Sequence, residues 1–284
     1  MPRKLPCTVE SITDHGGQVY SVDLIPHATV PAFRPGQFLH LTVDAYDPSS
    51  FWPESRVFSI ASSPRDRSRL RICYSVKGRY TAKMERTLRA GGHAWVKLPY
   101  GDFVIDEKRD AVLIAGGTGI TAFSAFLEGL TPDFPRRVTV VYGARTASLL
   151  LFQDMILSQL AAIPNFDVVF FTESQDDSFS RRMCALPHAP RCFPGRISLS
   201  ALTSPVRPPM PSKLSHPPSG LCPVPCSVQT AEEGRQNTEK ESLTPAPLSS
   251  VFYLSGPPAM LTTLTADLQQ RGIPADRIRT DAWE

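Results

Sequence analysis

A two-domain chain, an antiparallel β-barrel followed by an α/β domain with a parallel sheet, is the fold class this sequence predicts. Two changes of texture carry that reading. Up to about residue 106 short alternating stretches are separated by turns, whereas from Ala111 onward continuous apolar runs alternate with helical patterns. Length agrees: 284 residues at 42% hydrophobic hold enough apolar material for two cores, and one core rarely serves a chain of that size.

The elements follow in order. Val19 to Leu24 is a first strand candidate, and Pro35-Gly36 turns the chain into Gln37-Phe38-Leu39-His40-Leu41-Thr42-Val43. Arg56 to Ile60, Leu70 to Val76 and Trp95 to Leu98 continue the series, the second of these alternating at period two. At this density of turns a small closed barrel buries one face and hides the strand edges, which places it at residues 1–106. Val112-Leu113-Ile114-Ala115 then reads as a strand covered on both faces and leads through glycines into a helix from Thr121 to Leu130. Val138 to Tyr142, a helix from about Ser148 to Ala162, and Phe166 to Phe171 repeat the alternation. Val251 to Leu254, a helix from Pro258 to Arg271 and a strand at Ile278 to Thr280 complete a domain spanning 111–284.

That second domain is interrupted. Residues 203–249 carry ten prolines in 47 positions, among serines, threonines and charges, a composition that buries too little apolar surface to offset its ordering entropy. The tract is read as a disordered insertion, with an earlier start near Ser174 left open. Cys184, His188, Cys192, Cys222 and Cys226 match no zinc spacing, so no metal is expected. Six cysteines without a secretory signal after Met1-Pro2-Arg3-Lys4 argue for reduced thiols and a cytoplasmic location. No apolar run approaches a membrane span, and a net charge of +3 is too small to imply nucleic acid.

Three short segments carry the chemistry. Gly116-Gly117-Thr118-Gly119-Ile120-Thr121-Ala122 follows a strand and opens a helix, so its amides can receive a pyrophosphate. The acidic ribose ligand of an ordinary dinucleotide fold is missing about 20 residues later, where the next strand ends in Gly143-Ala144-Arg145. Arg56-Val57-Phe58-Ser59 offers a cation, a ring and a hydroxyl. Read alone it is a surface arginine beside a core phenylalanine, since Arg56 and Phe58 share one strand face and Ser59 takes the other. Tyr253-Leu254-Ser255-Gly256-Pro257-Pro258-Ala259-Met260 closes the series.

In chain order, Arg56 to Ser59, Gly116 to Ala122 and Tyr253 to Met260 resemble the ferredoxin-NADP reductase superfamily of flavoproteins, and Lys77-Gly78-Arg79-Tyr80-Thr81 resembles that family's second flavin element, which shifts the reading of Arg56 and Phe58 toward a flavin site. The resemblance covers most of residues 5–200 and 251–284 and implies a flavin-dependent NAD(P)H oxidoreductase that passes electrons to a separate one-electron carrier or small acceptor. It implies FAD rather than FMN, the former being commoner in the family, with NADH or NADPH as substrate. Arg56, Phe58, Ser59, Tyr74, Val76, Gly78 and Thr81 carry over as flavin contacts. Gly116, Gly117, Thr118, Gly119, Arg145, Gly256, Pro257 and Pro258 carry over for the nicotinamide dinucleotide. Thr118 is implied to lie beside the nicotinamide, Ser59 to serve the flavin's reactive edge, and Trp283 to cover the flavin face opposite Phe58, so these three are the catalytic candidates. Departures are Phe58 where many members have tyrosine and Ser255 where cysteine is common. Arg145, Arg181 and Arg182 suit a 2′-phosphate, whereas Glu173, Asp176 and Asp177 repel one; the balance leans to NADH. Nine basic residues between Arg65 and Arg89 suggest a dock for an acidic ferredoxin or flavodoxin. The alternative is a non-catalytic flavoprotein-like module that recruits a partner through the proline-rich insertion.

Overall fold

A computed structural model describes residues 2–174, 177–199 and 250–281. The insertion at 203–249, together with Asp176, Cys222, Cys226 and Trp283, lies outside the described residues.

Strands β1 (Arg3–Asp14), β2 (Val19–Pro26), β3 (Phe38–Thr42), β4 (Arg56–Ser59), β5 (Leu70–Ser75) and β6 (His93–Tyr100) form one antiparallel sheet in the order β4-β3-β6-β1-β2-β5. Its two edges meet where the Ala61 amide donates to the Arg71 carbonyl at 2.8 Å, so the sheet curls into a nearly closed barrel. Leu5, Val22, Leu24, Leu39, Leu41, Ile72, Val96 and Leu98 fill its interior. The first strand was not anticipated. Its buried residues Leu5, Cys7 and Val9 do alternate, but Pro6 lies between them and disguises the pattern.

Lys77 to Thr81, to which the sequence reading assigned no secondary structure, leads into a helix. Helix α1 (Arg79–Thr87) starts inside this stretch, and the Thr81 hydroxyl caps the turn by accepting the Lys77 amide at 2.9 Å and the Gly78 amide at 3.1 Å. Tyr80 and Met84 anchor this helix in the barrel core.

Strands β7 (Ala111–Gly116), β8 (Val138–Ala144), β9 (Phe166–Thr172), β10 (Arg191–Pro194), β11 (Val251–Ser255) and β12 (Ile278–Asp281) form the second sheet, in the order β10-β9-β8-β7-β11-β12. Every neighbouring pair is parallel. Helices α2 (Thr121–Gly129), α3 (Gln153–Ala162) and α4 (Asp177–Cys184) bury Phe123, Ile156 and Phe179 on one face of the sheet. Helix α5 (Pro258–Gln270) buries Leu261, Leu264 and Leu268 on the other. Helix α3 begins later than its expected start at Ser148, because a short 3₁₀ turn at Ala147–Leu149 precedes Phe152, which sits in the left-handed region at φ 58°. Ordered α4 and β10 occupy the stretch after Ser174 where disorder was left open; the buried Phe179 and Met183 explain why.

The two halves pack on each other. Val19, Cys73, Phe103 and Ile105 join the same apolar cluster as Phe123 and Tyr253, and the Ser124 hydroxyl donates to the Ala61 carbonyl at 2.9 Å. Burial pushes the thiols of Cys7 and Cys73 up from 9.0 to about 12. Unfolded thiols lose their protons above about pH 9 while these two keep theirs, so their contribution is complete below pH 9 and is lost between pH 9 and 12. Raising the pH from 7 to 10 is therefore expected to lower unfolding free energy by about 1 kcal/mol for each thiol. Urea titrations of the parent and of a Cys7→Ala, Cys73→Ala chain at both pH values check it; an identical pH response in the two chains contradicts it.

Candidate functional site

From β7 the chain adds β8, β9 and β10 in one direction, then returns to place β11 on the other side of β7. The chain therefore leaves the carboxyl ends of β7 and β11 toward opposite faces of the sheet, into α2 and α5, which opens a crevice at that switch point. Both glycine-bearing segments stand there. Gly116 ends β7, and Gly117 to Ile120 form a 3₁₀ turn leading into α2. Opposite it, the turn at Gly256 and Pro257 leads into α5, with Pro258 at the first helical position. The fit is close: a Cβ on Gly119 would meet the Ser255 carbonyl oxygen at 2.2 Å, and one on Gly116 would meet the Met260 sulfur at 2.5 Å. Gly117 differs, having φ +54° and open space where a side chain would go, so its backbone faces the crevice bare. Beneath the turn, the buried Ser255 hydroxyl donates to the buried Asp281 carboxylate at 3.1 Å.

The flavin candidates gather along the seam of the barrel between β4 and β5. The register pairs Arg56 with Leu41, Phe58 with Leu39, and Ser59 with Phe38. Arg56 and Phe58 thus share one face, and Ser59 lies on the other, where it is buried. Across the seam the Phe58 ring is 6.2 Å from the buried Tyr74 ring, which stacks on Tyr20 at 5.4 Å. Phe58 and Val76 are only half covered, leaving an apolar ledge that suits one face of a flat conjugated ring. At the mouth of the seam the Arg56 guanidinium lies 4.7 Å from the Tyr80 ring centre. Because Tyr80 is the second residue of α1, this contact ties Arg56 to the side chain of the helix's first turn, the turn that Gly78 and Thr81 begin. A cation beside helix-terminal amides is a phosphate-binding combination. Arg56 is held in place by the Ser55 carbonyl at 2.9 Å and by Glu54 at 3.1 Å.

The crevice opens into a cleft of about 730 Å³; of the flavin candidates Val76 lines it, whereas Arg56, Phe58, Ser59, Tyr74, Gly78 and Thr81 are not part of its lining. Val76 and Lys77 stand on its barrel side, facing Gly116, Gly117, Thr118 and Pro257. Arg145 also lines it and donates to the Gly17 carbonyl at 3.2 Å. At the end of β9, Glu173 lines the same cleft and pairs with Arg196 at 3.3 Å. Sequence reasoning gave no site role to Gln18, Arg196 and Asp281. Only tertiary packing brings these residues to the cleft or beneath its wall, so no local pattern announced them. Of the nine basic residues between Arg65 and Arg89, Arg69 pairs with Glu10 at 2.7 Å, Arg71 with Asp23 at 2.7 Å, and Lys83 with Asp44. Among the described residues no cluster of three or more His, Cys, Asp or Glu suits a metal, and no helix is long and apolar enough to cross a membrane.

Comparison with known proteins agrees with this geometry. Residues 113–185 match the oxidoreductase NAD-binding domain family. A flavohemoprotein of Deinococcus radiodurans is 30% identical over 152 residues, which is 52% of this chain and 37% of that protein. The reductase component DmpP of phenol 2-monooxygenase from Pseudomonas sp. strain CF600 is 28% identical over 151 residues, 51% of this chain and 41% of that protein. The chain thus spans about two fifths of the length of these relatives. Among solved structures, the flavohem-like FAD/NAD binding domain of nitric oxide dioxygenase from Vibrio cholerae superposes with a TM-score of 0.64 at 19% identity. That match covers 98% of both chains, and it speaks to the fold.

Proposed function

We propose that the chain is an NAD(P)H-dependent flavoprotein reductase of the ferredoxin-NADP reductase-like kind, a reading supported by its fold and by its matched nucleotide-binding domain. One observation carries the reading. Val76, at the end of the aromatic seam, lines the same cleft as Gly117 and Thr118, so a ring seated along Phe58 and Val76 extends toward a dinucleotide held in the glycine crevice. FAD, when bound, supplies the conversion between a two-electron hydride donor and a one-electron acceptor. Arg56 and the first turn of α1 neutralise and orient its phosphates, while Phe58, Tyr74 and Val76 offer the apolar face. In the crevice the bare Gly117 amide and the start of α2 receive a pyrophosphate, and the close packing of Gly119 on Ser255 keeps that loop rigid. Catalysis by this chain is alignment, with no side-chain acid required. Purified protein is expected to be yellow and to bleach on adding NADH; a colourless chain that binds neither FAD nor NADH rejects the reading.

Glu173 supports NADH as the preferred donor. Its carboxylate lines the cleft and occupies Arg196, so a 2′-phosphate meets a negative charge where it needs a free cation. Glu173→Gln is expected to raise kcat/KM for NADPH about tenfold with little change for NADH, as removal of one repulsive charge near the surface implies. Steady-state kinetics with both donors decide it, and an unchanged ratio removes Glu173 from specificity. For the acceptor we propose an acidic protein carrier. Support comes from Arg79, Arg86 and Arg89, which remain exposed on and beside α1, next to the mouth of the seam.

A further inference from the structure

The tip of the β1–β2 hairpin belongs to neither half-site, yet it touches both. Gly16, Gly17 and Gln18 are successively left-handed, with φ of 81°, 57° and 60°. A non-glycine residue stays in that region only where its surroundings hold it. Here two carbonyls of the tip are engaged by different partners. The Gly17 carbonyl accepts from Arg145 Nη2 at 3.2 Å, on the α/β half, and the Gln18 carbonyl accepts the Val76 amide at 3.0 Å, at the flavin seam. Bonds from the His15 amide to the Val19 carbonyl at 2.9 Å and from the Val19 amide to the Gly16 carbonyl at 3.1 Å stiffen the tip, so a displacement at Gly17 carries through to Gln18. Glycine suits position 17 by its left-handed φ of 57°, since a Cβ there would find only ordinary contact, 3.4 Å from Arg145 and Leu149.

We propose that this tip is a strap between the two half-sites and that Arg145 fastens it, so that a dinucleotide held by Arg145 is felt at Val76. Arg145 is well placed for both duties. Its backbone is fixed by the Ser174 amide, which donates to the Arg145 carbonyl at 2.9 Å, while its guanidinium lines the cleft. The guanidinium has five N–H donors, and the Gly17 contact employs one of them. A phosphate in the cleft recruits the others through charge-assisted bonds, drawing the guanidinium and the strap to the ligand together. The strap in the ligand-free chain stands on its own contacts, whereas its response to a dinucleotide rests on the function proposed above.

Hydrogen–deuterium exchange of the full-length chain as purified separates the two. Without added nucleotide, Arg145→Ala is expected to speed exchange about three- to tenfold in peptides covering residues 15–20 and 74–78, as loss of a single charge-assisted bond implies, with Arg145→Lys in between. With saturating NAD⁺, the parent is expected to gain protection in those two windows and at residues 116–121. Arg145→Ala is expected to keep the gain at 116–121 and lose it in the other two. Unchanged exchange at 15–20 and 74–78 in ligand-free Arg145→Ala overturns the strap, as does an undiminished response of those windows to NAD⁺ in that variant. If NAD⁺ protects nothing in the parent, including 116–121, the nicotinamide reading fails, and the ligand-free comparison alone decides the strap.

Discussion

Replacing Gly119 by valine is expected to weaken NADH binding at least a hundredfold and to cost about 3 kcal/mol or more of stability, beyond the range of ordinary overpacking. The reason is the nature of the obstruction. A Cβ at 119 would stand 2.2 Å from the Ser255 carbonyl oxygen, 2.5 Å from its carbon and 2.8 Å from the Gly256 nitrogen, all of them backbone. None of these can rotate away as a side chain can, so the glycine loop must part from the turn that forms the other wall of the crevice. Gly117→Ala is the internal control: its φ is +54°, but nothing lies within 4 Å of its Cβ position. That variant is expected to lose only about 1 kcal/mol, from the left-handed backbone alone. Denaturant titration and NADH fluorescence titration of both chains test the contrast. Parental NADH affinity in Gly119→Val would show that the crevice does not hold the dinucleotide.

Arg56→Ala is expected to yield a folded chain largely stripped of flavin. The guanidinium is almost half exposed, with a side-chain accessibility of 45%, and its partners are the exposed Glu54 and the neighbouring Ser55 carbonyl. Exposed contacts of this kind contribute little to folding. Toward a phosphate the same group acts differently, because a charge-assisted bond beside the first turn of α1 is worth roughly 1.5–3 kcal/mol, or about ten- to a hundredfold in affinity. The ratio of flavin to protein absorbance after purification, and the Kd on adding FAD back, measure it. Arg56→Lys is expected to fall between the two, since a point charge replaces a fork. Full flavin occupancy in Arg56→Ala would remove Arg56 from the site.

Local pattern in the sequence determined the fold class and the order of its parts. Alternation at period two from Leu70 to Val76, and the unbroken apolar run of Val112 to Ala115, depend on which faces of a strand are covered, and this is written residue by residue. The glycine loop was legible for the same reason, its glycines standing directly between a strand and a helix. Tertiary structure alone decided three things. It made a strand of Arg3–Asp14 despite Pro6, because two neighbouring strands supply its partners. It began a helix at Arg79, where Tyr80 and Met84 find a barrel end to fill. It also brought Gly17, Gln18, Arg145, Glu173 and Arg196 to one cleft from four separate stretches of chain. Periodicity reports the environment of a residue relative to its own backbone, whereas a cleft between domains is set by how two finished surfaces pack, and no local spacing encodes that contact.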